Sequence, residues 1–319
     1  MRLFVAEKPS LGRAIAAELG VTKNNPTFQI CGSDTVTWCF GHILEQYDPQ
    51  DYDDNLRTWR RRDLPIVPAE WKLRPKESAL TQLQVINHLL SEAEMVVHAG
   101  DPDREGQLLV DEVLEHFHYT GPVQRIWLAS LDSRSIQKAL STLKDNSNYA
   151  NLRDAARARS RADWLIGMNA SRAMTIFGQE TGHTDGVLSL GRVQTPTLAM
   201  IASREEEIRR FVPKPYYGIR GRAGSLTLAW KDKKSGSGSS FQKERIENIL
   251  KELSGKQAVV ERVKKTPKKT MAPLLYDLTE LQREASRRFD YSAKETLNIM
   301  QRLYENHKVL TYPRTDSRH

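Results

Sequence analysis

The sequence predicts an α/β fold over its first 150 residues, followed by a helical segment, a strand-rich segment and a second helical module. Three observations carry that prediction. Short apolar runs alternate with amphipathic helical patterns up to about residue 150; the text from Asn151 to about Arg210 is helical on both sides of one glycine-bearing loop; and paired alternating runs occur only after residue 214.

"MRLFVAEKPSLGRAIAAELG" reads as a short buried strand, Leu3 to Ala6, then a helix opened by Pro9 and Ser10 and closed by Gly20. "AEMVVHAGDPDREGQLLVDEVLEHF" repeats the grammar, with a strand around Met95 to Ala99, an acidic turn, and a helix through Leu108, Leu109, Val113 and Phe117. "VQRIWLAS" is a third strand, and a helix near Ser133 to Leu143 follows. Such alternation implies a mainly parallel sheet covered on both faces. Residues 1–150 are therefore expected to form one α/β domain.

Residues 151–213 are expected to be helical in "NLRDAARARSRADWLIGMNASRAM" and "TPTLAMIASREEEIRRF", around the loop "GHTDGVLSLGRVQ". Residues 214–273 contain strands in "YYGIRGRAG" and "SLTLAW", a flexible "KKSGSGSS" stretch, a helix from Glu244 to Leu253 and a strand from Gln257 to Val263. From Leu274 to His319 two capping boxes stand out, Asp277 with Glu280 and Ser292 with Glu295. Leu278, Leu281, Ala285 and Phe289 mark one helix face; Leu297, Met300 and Leu303 mark the next. Asn306 ends that helix and "KVLTY" is a short strand. The spacing suits a helix-turn-helix module or any small α-rich domain.

At 319 residues the chain has room for two or three domains. No run approaches the roughly 18 apolar residues of a membrane span, and no apolar h-region follows the first basic residue, so a cytoplasmic protein is expected. Cys31 and Cys39 lack a CxxC partner and read as buried thiols rather than zinc ligands. The net charge of +8 is unevenly spread: residues 1–150 hold 16 Lys+Arg against 21 Asp+Glu, and residues 151–319 hold 32 against 19. An acidic first half and a basic second half suit a cation-handling site beside a surface for a polyanion, or a solvated charge pattern without function.

Glu7 follows the first strand, and Asp101, Asp103 and Glu105 follow the strand "MVVHAG". Ligands collect at the carboxyl ends of parallel strands, so both groups face one crevice if these strands are neighbours. Clustered carboxylates raise one another's pKa, and a hard divalent ion such as Mg²⁺ relieves that conflict. The alternative is an exposed acidic turn that caps the next helix. Lys8 is either a phosphate ligand or proton donor at the same strand end, or a surface lysine. Arg153, Arg157, Arg159 and Arg161 crowd one helix, and "SLGRVQTP" offers Arg192 and Gln194 before a helix N-terminus, an arrangement that suits phosphate. Trp164 could stack a base or belong to the core. Tyr312, in "LTYPRTDSR", is fixed in extended geometry by Pro313 and lies near Arg314, whose charge would favour a phenolate or bind the phosphate under attack; its other reading is a loop tyrosine.

"AEKPS", "DPDREG", "RSRADWLIGMNASRA", "LSLGRVQTPTLA" and "LTYPRTDSR" occur in the order and at roughly the spacing of the type IA DNA topoisomerases, which the chain resembles over nearly all its length, most nearly in their bacterial topoisomerase III branch. The resemblance implies a Toprim metal-binding domain (1–150), a helical DNA-binding segment (151–213), a β-rich arch segment (214–273) and the start of a helix-turn-helix-like gate domain with the nucleophilic tyrosine (274–319). It implies ATP-independent cleavage and religation of single-stranded DNA through a 5′-phosphotyrosine at Tyr312, with relaxation of negative supercoils and decatenation by the complete protein. Glu7 would move the proton to and from the 3′-oxygen, and Lys8 and Arg314 would clamp the scissile phosphate. Glu7, Asp101, Asp103 and Glu105 would hold Mg²⁺. Arg161, Asn169, Arg172 and the loop Ser189, Leu190, Gly191, Arg192, Val193 and Gln194 would bind the single strand. Implied partners are single-stranded DNA and negatively supercoiled duplex DNA, with a single-strand-binding protein or a helicase beside them, no membrane, and a monomeric enzyme.

The family continues past its tyrosine, so little strand passage is expected of residues 1–319 alone. A chain that binds single-stranded DNA without productive strand passage is the alternative. A different Toprim enzyme, a primase or nuclease, would share Glu7 and "DPDRE" but not "TYPRTDS".

Overall fold

The structure, a computed structural model, describes residues 1–183, 185–315 and 317–318; Asp316 of the "LTYPRTDSR" motif lies outside them. The chain divides into two compact units, Met1–Thr195 with Leu274–His319, and Pro196–Pro273.

In the first unit β1 (Arg2–Ala6) leads into α1 (Pro9–Leu19), which Gly20 ends in the left-handed region at φ 86°. The strands β2 (Lys23–Asn24), β3 (Phe28–Cys31) and β4 (Asp34–Trp38) follow, then β5 (Leu44–Gln46), a single turn α2 (Pro49–Tyr52), β6 (Leu73–Pro75) and α3 (Leu80–Ser91). Next come β7 (Met95–Ala99), α4 (Arg104–His116), β8 (Val123–Arg125), α5 (Ser133–Leu140), β9 (Lys144–Asp145) and the 31-residue helix α6 (Ala150–Glu180).

The sheet runs β2-β3-β4-β1-β7-β8-β9. Its four central strands are parallel, with Ala6 level with Trp38 on one side and with Ala99 on the other, while both margins are antiparallel. β1 is central because it is apolar on both faces. Phe4 and Ala6 pack with Leu11 and Ile15 of α1 and with Leu131 and Ile136; Leu3 and Val5 pack with Leu83 and Ile86 of α3 and with Leu109 and Val113 of α4. Each such leucine or isoleucine contributes about 1.5–3 kcal/mol of burial. Cys31 and Cys39 are buried free thiols, as expected.

"VQRIWLAS" is shorter as a strand than its composition suggests. β9 pairs only with Gln124 and Arg125, after which the chain leaves the sheet while Ile126 and Leu128 stay buried. The helix expected to reach Leu143 ends at Leu140.

α7 (Gln194–Arg209) crosses from the first unit into the second. The second unit holds the hairpin β10 (Arg220–Ala223) and β11 (Leu226–Ala229) and the helix α8 (Lys243–Leu253). The glycine-serine stretch is ordered round Asp232, whose carboxylate accepts from the backbone N–H groups of Lys234 and Ser235. The strand expected over Gln257–Val263 is absent; these residues are exposed with no ladder beside them.

Back in the first unit, α9 (Leu278–Phe289) is capped by Asp277, which accepts from Glu280 N–H, and α10 (Ala293–Glu305) by the reciprocal Ser292–Glu295 box. Asp290 turns between them at φ 57°. The expected "KVLTY" strand is instead a loop, in which Val309 N–H donates back to Leu303 O at 3.1 Å and Tyr312 N–H donates to Ala129 O at 2.8 Å.

Candidate active site

β1 and β7 are neighbours, so Glu7 and Asp101 leave the sheet side by side. Glu7 N–H donates to Ala99 O (3.2 Å), and Asp101 N–H donates to Glu7 Oε2 (2.9 Å). The acidic turn folds back because Gly106 allows it: a Cβ there would lie 2.5 Å from Asp101 N and 2.6 Å from Glu7 Oε2. Beneath the turn the buried Arg125 donates to Gly100 O (2.9 Å), Asp101 O (2.7 Å) and Gln107 Oε1 (2.9 Å), which fixes its carbonyls from below. Burial pushes the Arg125 guanidinium down to about 10.

Lys8 is no surface lysine. Its ammonium sits 2.8 Å from Asp101 Oδ2 and 3.0 Å from Glu305 Oε1 on α10, and 5.6 Å above the ring of Tyr304. Asp103 uses both oxygens: Oδ1 accepts from Gly106 N–H at 2.7 Å and caps α4, and Oδ2 accepts from the Tyr312 hydroxyl at 2.6 Å. The acidic turn is thus a helix cap and a site component at once. Tyr312 is buried, edge-on to Tyr304 with ring centroids 5.8 Å apart. Arg314 and Asp103 line two cavities in common, one of about 610 Å³ beside Arg159 and Asp163 of α6, the other of about 510 Å³ holding Tyr312, Ala129 and Trp127.

Burial, then the charge of Asp101, lifts the Glu7 carboxyl to about 7. Burial also raises Asp101 against the opposing pull of Lys8. Lys8 stays firmly protonated, because Asp101 and Glu305 outweigh the cost of its own burial. The Tyr312 phenol is raised by burial, by Asp101 and by its bond to Asp103. This corrects the expectation of a phenolate favoured by a neighbouring cation: the group that faces the hydroxyl is an acceptor.

The four carboxylates do not form a closed ligand cage. Among the described residues no three acidic, histidine or cysteine side chains converge on one metal position, and Glu105 turns away to Arg159 (3.3 Å) and Arg104 (3.6 Å). Glu7, Asp101 and Asp103 still fit a hard cation in donor type, and Asp101 Oδ1 is a buried carboxylate oxygen without a hydrogen-bond partner.

On the basic side, Arg157 pairs with Glu115 of α4 at 2.6 Å, with Arg153 4.0 Å from the same carboxylate. Arg161 stacks over Trp71 at 5.2 Å. Asn169 grips Ile66, accepting from its N–H (2.6 Å) and donating to its carbonyl (2.9 Å). Arg172 is buried, donating to Leu56 O at 2.7 Å beneath Trp59. These two polar groups shape the wall between α6 and residues 56–66 instead of pointing outward. Trp164 is core, its indole N–H donating to Tyr47 O at 2.8 Å. The next loop is tied to α6: Leu190 N–H donates to Ser171 Oγ (2.8 Å), Gln194 donates to Ser189 Oγ (3.0 Å), and Gly191 N–H donates to Thr195 Oγ1 (3.0 Å). Arg192 forms a two-pronged pair with Asp163 at 2.6 and 3.2 Å, and Val193 is exposed.

Comparison with known families agrees with this arrangement. A Toprim domain profile matches residues 2–131, and a DNA topoisomerase profile matches residues 147–319, more than half of the chain. The chain belongs to the DNA topoisomerase family. It is similar to DNA topoisomerase 3 of Vibrio cholerae serotype O1, at 41% identity over 100% of the chain and 52% of that protein. With DNA topoisomerase 3 of Bacillus subtilis strain 168 the identity is 44%, over 99% and 43%. Full-length topoisomerase I from Thermotoga maritima superposes with a TM-score of 0.70 at 25% identity, covering 99% of the chain and 50% of that structure. The chain spans about half the length of these relatives.

Within this DNA topoisomerase family member, several site components escape a reading by residue type. Glu305 and Tyr304 meet Lys8 only because α10 docks on the sheet, and Gln107 looks like any polar residue of a helix. Arg125 had one signal, an arginine inside the apolar run "VQRIWL".

Proposed function

We propose that Tyr312 attacks a phosphodiester of single-stranded DNA, forming a 5′-phosphotyrosine and releasing a 3′-hydroxyl, and that reversal of this step rejoins the strand. The observation that carries the reading is the 2.6 Å bond from the Tyr312 hydroxyl to Asp103, beside Glu7 and Lys8. As the new P–O bond forms, the phenolic proton passes to Asp103 Oδ2, the acceptor already in place. As the P–O3′ bond breaks, protonated Glu7 gives its proton to the leaving 3′-oxygen; a carboxyl held near 7 suits both directions of transfer. Lys8 and Arg314 stabilise charge on the phosphate. Mg²⁺ would be held by Asp101 with Glu7 and Asp103, and when bound it supplies positive charge that neutralises these carboxylates and the phosphate.

The single strand runs along α6 and the loop Ser189–Gln194. Arg161, Arg192 and backbone N–H groups meet its phosphates, while Asn169 and Arg172 hold the wall behind it. In the complete protein the same chemistry serves ATP-independent relaxation of negatively supercoiled DNA and decatenation, as a cytoplasmic monomer, with a single-strand-binding protein or helicase as partner. Among the described residues no helix is long and apolar enough to cross a membrane.

The test is incubation of the chain with an end-labelled single-stranded oligonucleotide and Mg²⁺, followed by detergent. A covalent adduct that disappears in Tyr312→Phe supports cleavage. Gel retardation without any adduct supports the binding-only alternative.

A further inference from the structure

Trp127 belongs to no part of the chemistry above, yet it stands next to it. It lines the cavity that holds Tyr312 and Arg314, and it also lines a second cavity of about 430 Å³ with Arg125, Lys144 and Tyr149. Its ring stacks on Tyr149, with centroids 5.2 Å apart and planes 12° apart, and the buried guanidinium of Arg125 lies 5.0 Å from one ring and 5.9 Å from the other. Covering Arg125 would account for a buried tryptophan. Trp127 is instead 39% exposed, so part of the indole, already ordered by two neighbours, is open to solvent where it lines both cavities.

We propose that Trp127 is a nucleobase-stacking subsite for single-stranded nucleic acid, beyond Tyr312 from the cavity at Arg159 and Asp163. The proposal rests on the reading of Tyr312 as a nucleophile toward DNA. The cavities give it a direction. The one beside α6 and the one holding Tyr312 share Asp103 and Arg314; the one holding Tyr312 and the one beyond it share Trp127. A strand that leaves α6 and crosses Tyr312 therefore meets Trp127 next, and Lys144, exposed on the outermost strand of the sheet, can take the following phosphate. Stacking on an aromatic face accepts any base, which suits an enzyme that must act on many sequences. A ring already held by Tyr149 and Arg125 loses little freedom when a base lands on it.

The experiment measures affinity, apart from cleavage. The full chain carrying Tyr312→Phe is titrated with a dye-labelled single-stranded oligonucleotide and with versions abasic at one nucleotide at a time. Trp127→Ala should weaken binding roughly tenfold and Trp127→Phe only two- to threefold, within the range of base–aromatic stacking. One abasic position should cost the parent about as much as Trp127→Ala does, and should cost Trp127→Ala almost nothing further. Equal affinities for parent and Trp127→Ala, or an abasic penalty that persists in full in that variant, would overturn the proposal. Should Trp127→Ala fail to fold, the abasic scan on Trp127→Phe decides: a reduced penalty supports the subsite and an undiminished one refutes it. Absence of a covalent adduct from the chain that retains Tyr312 would count against the nucleophile reading alone.

Discussion

The Tyr312 hydroxyl donates to Asp103 Oδ2 at 2.6 Å, a bond between residues 209 apart in the chain. It joins the loop after α10 to the turn that caps α4, so one carboxylate both starts a helix and faces the phenolic proton. Burial, Asp101 and this bond all favour the neutral phenol, and in the proposed attack the acceptor for its proton is already placed.

Asp103→Asn separates these two duties. Asparagine keeps one oxygen, enough to cap the helix as aspartate does, but it sets an NH2 group opposite the tyrosine, which can only donate to the phenol oxygen and cannot take the proton. Unfolding midpoints should be little changed, whereas the rate of adduct formation, followed by rapid quench, should fall about 10²- to 10⁴-fold. An unchanged rate would remove Asp103 as the base.

Lys8→Met leaves Asp101 buried without its cation. Removing one partner of a buried pair costs about 3–5 kcal/mol, and the partial exposure of Lys8 argues for the lower end. Thermal melting should show the loss, with Asp101→Asn in the same chain restoring part of it. A wild-type melting curve for Lys8→Met would mean that the pair is dispensable to the fold.

Glu7 gives stability a pH dependence of predictable sign. Its folded-state pKa, about 7, lies above its ordinary value of 4.5, so the folded chain binds this proton more tightly than the unfolded chain. The resulting stabilisation is complete below about 4.5 and is lost as pH rises through about 7. Chemical denaturation without divalent ions should therefore show stability falling across that window, with a shallower slope in Glu7→Gln. Added Mg²⁺ should also flatten it, since a cation favours the ionised form. A slope equal in Glu7→Gln and the parent would contradict the assignment.

Gly106→Ala drives a methyl group into the backbone of Asp101 and the carboxylate of Glu7. Overpacking of this kind costs about 1–3 kcal/mol, and the acidic turn must shift to accept it. Both the urea midpoint and the yield of adduct should fall. An alanine variant equal to the parent in both would show that the turn tolerates movement.

The sheet and its acidic crevice were legible because β1 and β7 are apolar runs ending in carboxylates, and parallel strands deliver such ends to one side. The caps of α9 and α10 were legible because their partners are three residues apart, although only Ser292 and Glu295 form the reciprocal box and Glu280 does not return the bond to Asp277. Long-range docking was not. "KVLTY" has strand composition but no neighbouring edge to pair with, and it settles as a loop with a single backbone bond to Ala129. Gln257–Val263 lacks a partner for the same reason. Residue type also misleads when the partner is distant: Asn169 and Arg172 suit a phosphate, yet the nearby backbone of Ile66 and Leu56 takes them first.

The most direct measurement is the site of covalent attachment. The chain is trapped on a single-stranded oligonucleotide with Mg²⁺, digested with nuclease and protease, and mapped by mass spectrometry. A nucleotide-bearing peptide with the modification on Tyr312 is the predicted result. Attachment to another residue, or a Tyr312 peptide that stays unmodified while cleavage products accumulate, would contradict it.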